Sequence, residues 1–82
     1  MSLRLYSDLR ASGVVPDAWH ALRGAAIKYP VRNAAVLREL RRLMPGRWRK
    51  VIKPGTIGEV HYFEHKSGSV AGVKILRRSA SK

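Results

Sequence analysis

The stretch that most constrains the fold of this chain is residues 58–76, GEVHYFEHKSGSVAGVKIL, which predicts a β-hairpin. Its first eight residues alternate in character, and successive side chains of a β-strand point to opposite faces. Residues 66–69 favour a turn, because Gly68 takes a positive φ angle without a steric penalty. Residues 70–76 contain enough β-branched side chains to form the returning strand.

One face of the first hairpin strand is predicted to carry Glu59, His61, Phe63 and His65. Neighbours on one face of a strand lie about 6.5–7 Å apart, which matches the reach needed to flank one phosphodiester. Two imidazoles and a carboxylate thus share one side of a single strand, and this set is the main sequence indication of function.

The chain is strongly basic, with 17 Lys and Arg against five Asp and Glu and a formal net charge of +12. Charge of this sign and density favours a polyanionic partner, of which nucleic acid is the most common. Residues 41–82 hold eleven of the basic residues but only two of the acidic ones. The positive charge is therefore concentrated in the half of the chain that contains the hairpin.

The composition also excludes several classes of protein. The chain has no cysteine, which excludes a disulfide framework and thiolate metal sites. No apolar run approaches the roughly 20 residues of a membrane-spanning helix, and the N-terminus has no secretory h-region, so a cytoplasmic protein is expected. A metal site at His61 and His65 is disfavoured because only Glu59 accompanies them, and no other cofactor is predicted.

Apolar spacing ahead of the hairpin predicts two short N-terminal helices. Residues 3–12 favour a helix that ends at Gly13, with an edge strand near the start of this stretch as the alternative. Residues 16–29 favour a second helix, in which apolar side chains such as Trp19 and Leu22 recur at helical spacing.

The clearest helix in the sequence is the third. Asn33 is a favourable N-cap, and the apolar stripe that follows it contains Leu40 and ends before the Pro-Gly pair at position 45. Residues 47–53 then predict a short strand in which cations flank Trp48.

These elements together predict an α+β domain over residues 1–78. Two to three N-terminal helices would pack on one face of a three-stranded antiparallel β-meander. Val60 and Tyr62 would lie under the helices, and the opposite face, with the histidines, would be open. Residues 79–82 are small, polar and basic, and are predicted to form a disordered tail.

An open face of this composition suits metal-independent RNA cleavage by attack of the 2′-hydroxyl. That reaction needs a base, an acid and cations that stabilise the charge developing on phosphorus. His61 and His65 are the candidate acid–base pair, with Glu59 as an orienting or basic carboxylate. The candidate phosphate-binding cations are Lys50, Lys53, Lys66 and Arg49.

Nucleic-acid contact is also predicted for an arginine ridge and two aromatic side chains. The ridge is formed by Arg38, Arg41 and Arg42 on the polar side of the third helix, where the alternative is an ordinary solvated surface. Trp48 and Phe63 are the candidates for stacking on a base.

The hairpin and the elements before it resemble the HicA-type toxins of toxin–antitoxin modules. The matching residues are Gly58, His61, Phe63, His65 and Gly68, and the resemblance covers about residues 37–76. It implies a small ribonuclease that acts without a metal, with a double-stranded-RNA-binding-like α/β fold and a cognate acidic antitoxin.

This chain departs from the HicA pattern at two positions. Val60 occupies the place of the usual catalytic histidine of that family, and Glu59 replaces its serine. Cleavage would therefore depend on His61 or His65. RelE-like and contact-delivered toxin domains fit the order of elements equally well, and they would imply an antitoxin or an immunity protein as the partner.

The function predicted first is thus a metal-independent endoribonuclease that acts as a bacterial toxin on RNA in the cytoplasm. The alternative is a non-enzymatic RNA- or DNA-binding protein that uses the same sheet face. A third class, a structural part of a larger ribonucleoprotein or phage assembly, would use the charge only for adhesion.

Overall fold

The computed structural model describes residues 3–77, which form one five-stranded antiparallel sheet and, within that range, one α-helix. The strands lie side by side in the order β1-β5-β4-β3-β2, so the two hairpins made by β3, β4 and β5 occupy the centre. The bounds of the elements are β1 Leu5–Tyr6, β2 Ile27–Pro30, α1 Ala34–Leu43, β3 Trp48–Gly55, β4 Gly58–His65 and β5 Val70–Arg77. A short 3₁₀ helix, Arg10–Ser12, lies between β1 and β2.

The predicted hairpin is present, and a bulge changes its register. Gly68 lies in the turn with a φ of 100°, as its lack of a side chain allows. His61 pairs with Lys74 whereas Phe63 pairs with Ala71, so β5 contains one residue more than β4 between these pairs. Gly72 occupies this bulge at a φ of 60°, where an added Cβ would lie 3.0 Å from the Phe63 ring.

The helix α1 forms where the sequence predicts it and packs on the sheet. The Asn33 side chain accepts hydrogen bonds from the backbone N–H groups of Ala35 and Val36, at 3.0 and 3.1 Å. These bonds satisfy two donors that the first turn of a helix otherwise leaves without partners. Leu40 is fully buried in a cluster with Trp48.

Substitutions of Asn33 test whether its side chain stabilises the N-terminus of α1. We expect Asn33→Ala to lower the free energy of unfolding by about 1 kcal/mol, because two backbone donors lose their acceptor. Asn33→Asp is the matched control, because its carboxylate oxygen accepts the same bonds and it should stay close to the wild type. Urea denaturation followed by circular dichroism measures both. Equal losses in the two variants would contradict the capping role.

An irregular segment, residues 7–26, covers the other face of the sheet. Val15 and Trp19 are buried there against Val51 and Val60. The Trp19 indole N–H donates to the backbone carbonyl of Gly58 at 2.9 Å. The sheet therefore lies between two covering layers, the irregular segment on one side and α1 on the other.

The predicted fold class is wrong. Residues 16–29 contain no helix, and β2 begins at Ile27. Backbone groups of this segment instead pair with the end of the β3–β4 hairpin: the Leu22 N–H donates to the Pro54 carbonyl and the Thr56 N–H donates to the His20 carbonyl, both at 2.9 Å. These tertiary hydrogen bonds replace the intrahelical ones, which Gly24 already weakens.

The predicted assignment of the sheet faces is also wrong. Val60 and Tyr62 do lie in the core, but the irregular segment covers them. The helix α1 packs on the opposite face, the one with Phe63 and His65, which was expected to be open. The tail predicted over residues 79–82 lies outside the described residues.

Candidate nucleic-acid interface

The helix covers only part of its sheet face, and a cleft of about 420 Å³ remains beside the N-terminus of α1. Aromatic, cationic and imidazole side chains line it together. Among its lining residues are Tyr29, Pro30, Arg32, Asn33, Val36, Lys50, His61, Phe63 and Lys74. A cleft of this size lies within the usual range for small-ligand sites, roughly 300–1,000 Å³.

The register of the sheet brings these side chains together. Tyr29 pairs with Lys50, and Lys50 pairs with Phe63. His61 pairs with Lys74. Directly paired residues of neighbouring strands project from the same face, so the three strands β2, β3 and β4 place one cross-sheet row in the cleft and β5 adds a second cation.

His61 and Glu59 form a dyad at this cleft. His61 Nε2 lies 3.0 Å from Glu59 Oε1, which is hydrogen-bond distance. The His61 side chain is 16% exposed and the Glu59 side chain is 50% exposed. The carboxylate thus orients the imidazole, and Nδ1 is the nitrogen left for a bound molecule.

The cations of the cleft lack neutralising partners. Within residues 3–77, no ion pair is formed by Arg32, Lys50 or Lys74. Lys50 Nζ lies 5.3 Å from the centre of the Phe63 ring, within the range of a cation–π contact. The cleft therefore presents uncompensated positive charge next to an aromatic ring.

His65 does not belong to this cleft. Its side chain lies in the core, with the residue 5% exposed and its ring edge-on to Trp48 at 5.1 Å between centroids. Its Nε2 donates to the Pro45 carbonyl at 2.8 Å, while Nδ1 accepts from the Ser67 backbone N–H at 3.1 Å. His65 thus ties the loop after α1 to the hairpin turn, and the structure does not place it opposite His61 across one phosphodiester.

Trp48 is likewise a packing residue. It is 3% exposed, and its indole N–H donates to the Met44 carbonyl at 2.9 Å. A buried ring cannot stack on an incoming base. Of the two predicted stacking residues, only Phe63 reaches the cleft, and Tyr29 takes the place expected for Trp48.

The remaining predicted cations lie elsewhere on the surface. Lys53 lies on the other face, 5.7 Å from the Tyr62 ring centre. The arginine ridge lies on the exposed side of α1, away from the cleft, and consists of Arg38, Arg41 and Arg42. Arg49 and Lys66 lie together at the far end of the hairpin.

Tyr62 is a titratable group in the sheet with no place in the cleft chemistry. Its ring is buried under the irregular segment. Burial raises the pKa of the Tyr62 hydroxyl above its usual value; the nearby Glu64 charge raises it further, and Lys28 opposes this. The phenol therefore stays protonated and does not act as a base.

Sequence reasoning missed three residues of the cleft, Tyr29, Arg32 and Lys74, and only Tyr29 had a usable signal. Lys74 had none, because regular pairing from the turn would place Val73 opposite His61, and only the bulge brings Lys74 there. Tyr29 precedes Pro30, and a residue before proline favours an extended conformation over a helical one. Arg32 had no comparable signal, because its place depends on where α1 packs.

No protein-family model, curated protein or solved structure matches this chain. The resemblance to HicA-type toxins therefore stays a prediction. Within residues 3–77, no helix is long and apolar enough to cross a membrane. The same residues contain no group of three or more His, Cys, Asp and Glu side chains placed to hold a metal ion.

Proposed function

We propose that this chain binds single-stranded RNA and accommodates a nucleotide in the cleft beside α1. The observation that carries the proposal is the convergence of Arg32, Lys50 and Lys74 with two aromatic side chains in one nucleotide-sized cleft. Single-strand binding sites combine cations that follow the phosphates with aromatic rings on which bases stack.

Each part of the cleft has a role in this proposal. Phe63 and Tyr29 offer faces or edges to a base, and stacking on an aromatic ring contributes about 1–3 kcal/mol per base. Lys50 and Lys74 flank the position of the base and contact the phosphates. Because these ammonium groups lack carboxylate partners within residues 3–77, their contact with phosphate breaks no existing ion pair.

The test is a binding titration with fluorescently labelled oligouridylate, followed by anisotropy at several salt concentrations. The double variant Lys50→Gln/Lys74→Gln should bind at least about tenfold more weakly. The slope of log affinity against log salt concentration should become shallower by about 1.4, since each phosphate contact on a single strand contributes roughly 0.7.

The matched control removes the same charge from another surface. Arg38→Gln/Arg42→Gln takes two cations from the exposed side of α1 and should cost much less affinity. Equal losses in the two double variants would mean that affinity reflects overall charge, and this would overturn the assignment of the cleft.

A second candidate function, cleavage of the bound RNA, is favoured by the Glu59–His61 dyad. His61 Nδ1 would accept the proton of the 2′-hydroxyl, and Glu59 would stabilise the imidazolium that forms. The 2′-oxygen would then attack phosphorus to give a 2′,3′-cyclic phosphate and release the 5′-oxygen. Lys50 and Lys74 would stabilise the additional negative charge, and the leaving oxygen would take a proton from an ammonium group or from water.

Three further predictions apply only if the chain cleaves RNA. They are the toxin role, the cytoplasmic site of action and the acidic antitoxin or immunity protein. An active ribonuclease would have to be restrained in the cell that makes it, and a chain of charge +12 would favour an acidic inhibitor. A protein that only binds RNA needs no such partner. Expression without toxicity would therefore argue against this part of the proposal.

A further inference from the structure

A second group of cations lies on the opposite side of the sheet from the cleft. Arg47, Arg49 and Lys66 surround a depression of about 280 Å³, at the end of the sheet where β3 begins and β4 ends. Arg49 is exposed and follows the alternation of β3, so its side chain projects from the face opposite to that of Lys50. The Lys66 N–H donates to the Arg47 carbonyl at 3.1 Å, which holds the two residues side by side.

The charge of this group is only partly offset, by one carboxylate. Glu64 also lines the depression, but its Oε1 lies 3.0 Å from Lys28 Nζ, in an ion pair that crosses β3. Arg47, Arg49 and Lys66 form no ion pair within residues 3–77. The depression thus has three available cations around a carboxylate that already has a partner.

Only one edge strand separates the two basic sites. Pro30 lines the cleft, and it is also the residue of β2 that pairs with Arg49. The strand β2 is at the edge of the sheet, and proline has no N–H with which to pair a further strand. The edge near Pro30 is therefore disfavoured as a place for sheet extension, and Arg32, which follows closely in the chain, adds a cation to the cleft beside it.

We infer that an RNA strand bound in the cleft passes around the edge of β2 at Pro30. Its adjoining phosphates then bind Arg47, Arg49 and Lys66 on the other side. This inference rests on the proposed function, because it extends the path of the same RNA. A sheet is about 10 Å from one side-chain layer to the other, so a few nucleotides span the distance.

The experiment is a length series of oligouridylates, from uridine monophosphate to about eight nucleotides, within the range of known single-strand sites. Wild-type affinity should rise at the length that reaches the second site. Arg47→Gln/Arg49→Gln should bind the mononucleotide and the dinucleotide as the wild type does. Its affinity for the longest oligonucleotide should fall by about tenfold or more. For that ligand only, the dependence of log affinity on log salt concentration should become shallower by about 1.4.

One control variant and one further test variant make the result specific. Arg38→Gln/Arg42→Gln removes the same number of arginines from α1 and should leave the length dependence intact. Lys66→Gln lies in a turn, where a surface substitution usually changes stability by no more than about 0.5 kcal/mol, and it should weaken binding of the long oligonucleotide only. Thermal unfolding confirms that each variant is folded.

The outcomes separate this inference from the proposed function. If the wild type binds no oligonucleotide of any length, both are overturned. If short ligands bind normally but Arg47→Gln/Arg49→Gln and the α1 control lose the same affinity for long ones, only the second site is overturned. Loss confined to long ligands in the Arg47→Gln/Arg49→Gln and Lys66→Gln variants supports the path around β2.

Discussion

Trp19→Ala is expected to lower the free energy of unfolding by about 3–5 kcal/mol, the usual cost of truncating a buried aromatic side chain to alanine. Trp19 is 4% exposed and contributes to the core of the face that the irregular segment covers. Its indole N–H bonds to the Gly58 carbonyl, and Arg10 donates to the Trp19 carbonyl at 2.7 Å. The whole free energy of unfolding of a small domain is only about 5–15 kcal/mol, so this variant should be close to unfolding at 25 °C.

Urea denaturation followed by circular dichroism measures the effect, with two comparison variants. Trp19→Phe keeps much of the ring but leaves the buried Gly58 carbonyl without its donor, and should cost about 1–3 kcal/mol. Leu22→Ala is the control within the same segment, because Leu22 is 44% exposed and should change stability by about 0.5 kcal/mol or less. A Trp19→Ala variant as stable as Leu22→Ala would show that the segment does not form this layer.

The second large effect concerns the two histidines of β4, which the structure places in different environments. If the chain cleaves RNA, His61→Gln should reduce the cleavage rate by about 10²–10⁴-fold, the usual contribution of a general base. It should leave stability close to that of the wild type, since His61 lies at the cleft. His65→Gln should instead lower the free energy of unfolding by about 1–3 kcal/mol, because it disturbs two hydrogen bonds of a buried residue.

The measurement is cleavage of labelled RNA in EDTA, normalised to the folded fraction of each variant. His65→Gln should then cleave at a rate within a few fold of the wild type. Loss of cleavage in both folded variants would support the His61–His65 acid–base pair that the sequence suggested and contradict the separate roles assigned here. Intact RNA with the wild type, together with tight binding, would remove the cleavage candidate and leave the binding proposal.

Local sequence signals predicted the elements whose stability depends on near neighbours. The alternation in β4, the turn at Gly68 and the N-cap at Asn33 are visible in a few consecutive residues, and all three are present. The groups that cap α1 and close the turn lie within about four positions of one another, and the alternation of β4 is visible before its partner strands are known. Such patterns keep their meaning whatever the rest of the chain does.

The N-terminal segment shows where local signals fail. Trp19 and Leu22 have helical spacing, but no helix forms over residues 16–29, and Trp19 is buried whereas Leu22 is exposed. The hydrogen bonds that decide its path join it to Pro54 and Thr56, more than thirty positions away. Helix propensity is a weak preference, and hydrogen bonding to the hairpin end outweighs it here.

The sequence by itself thus determined the basic charge, the central hairpin and the face shared by Glu59, His61 and Phe63. The tertiary structure decided which of these residues are accessible. The helix α1 packs on that face, the loop after it covers His65, and neither reaches over His61, so one histidine became a core residue and the other a candidate base. The reason is physical: alternation along a strand gives the side on which a residue projects, whereas burial depends on which distant element covers that side.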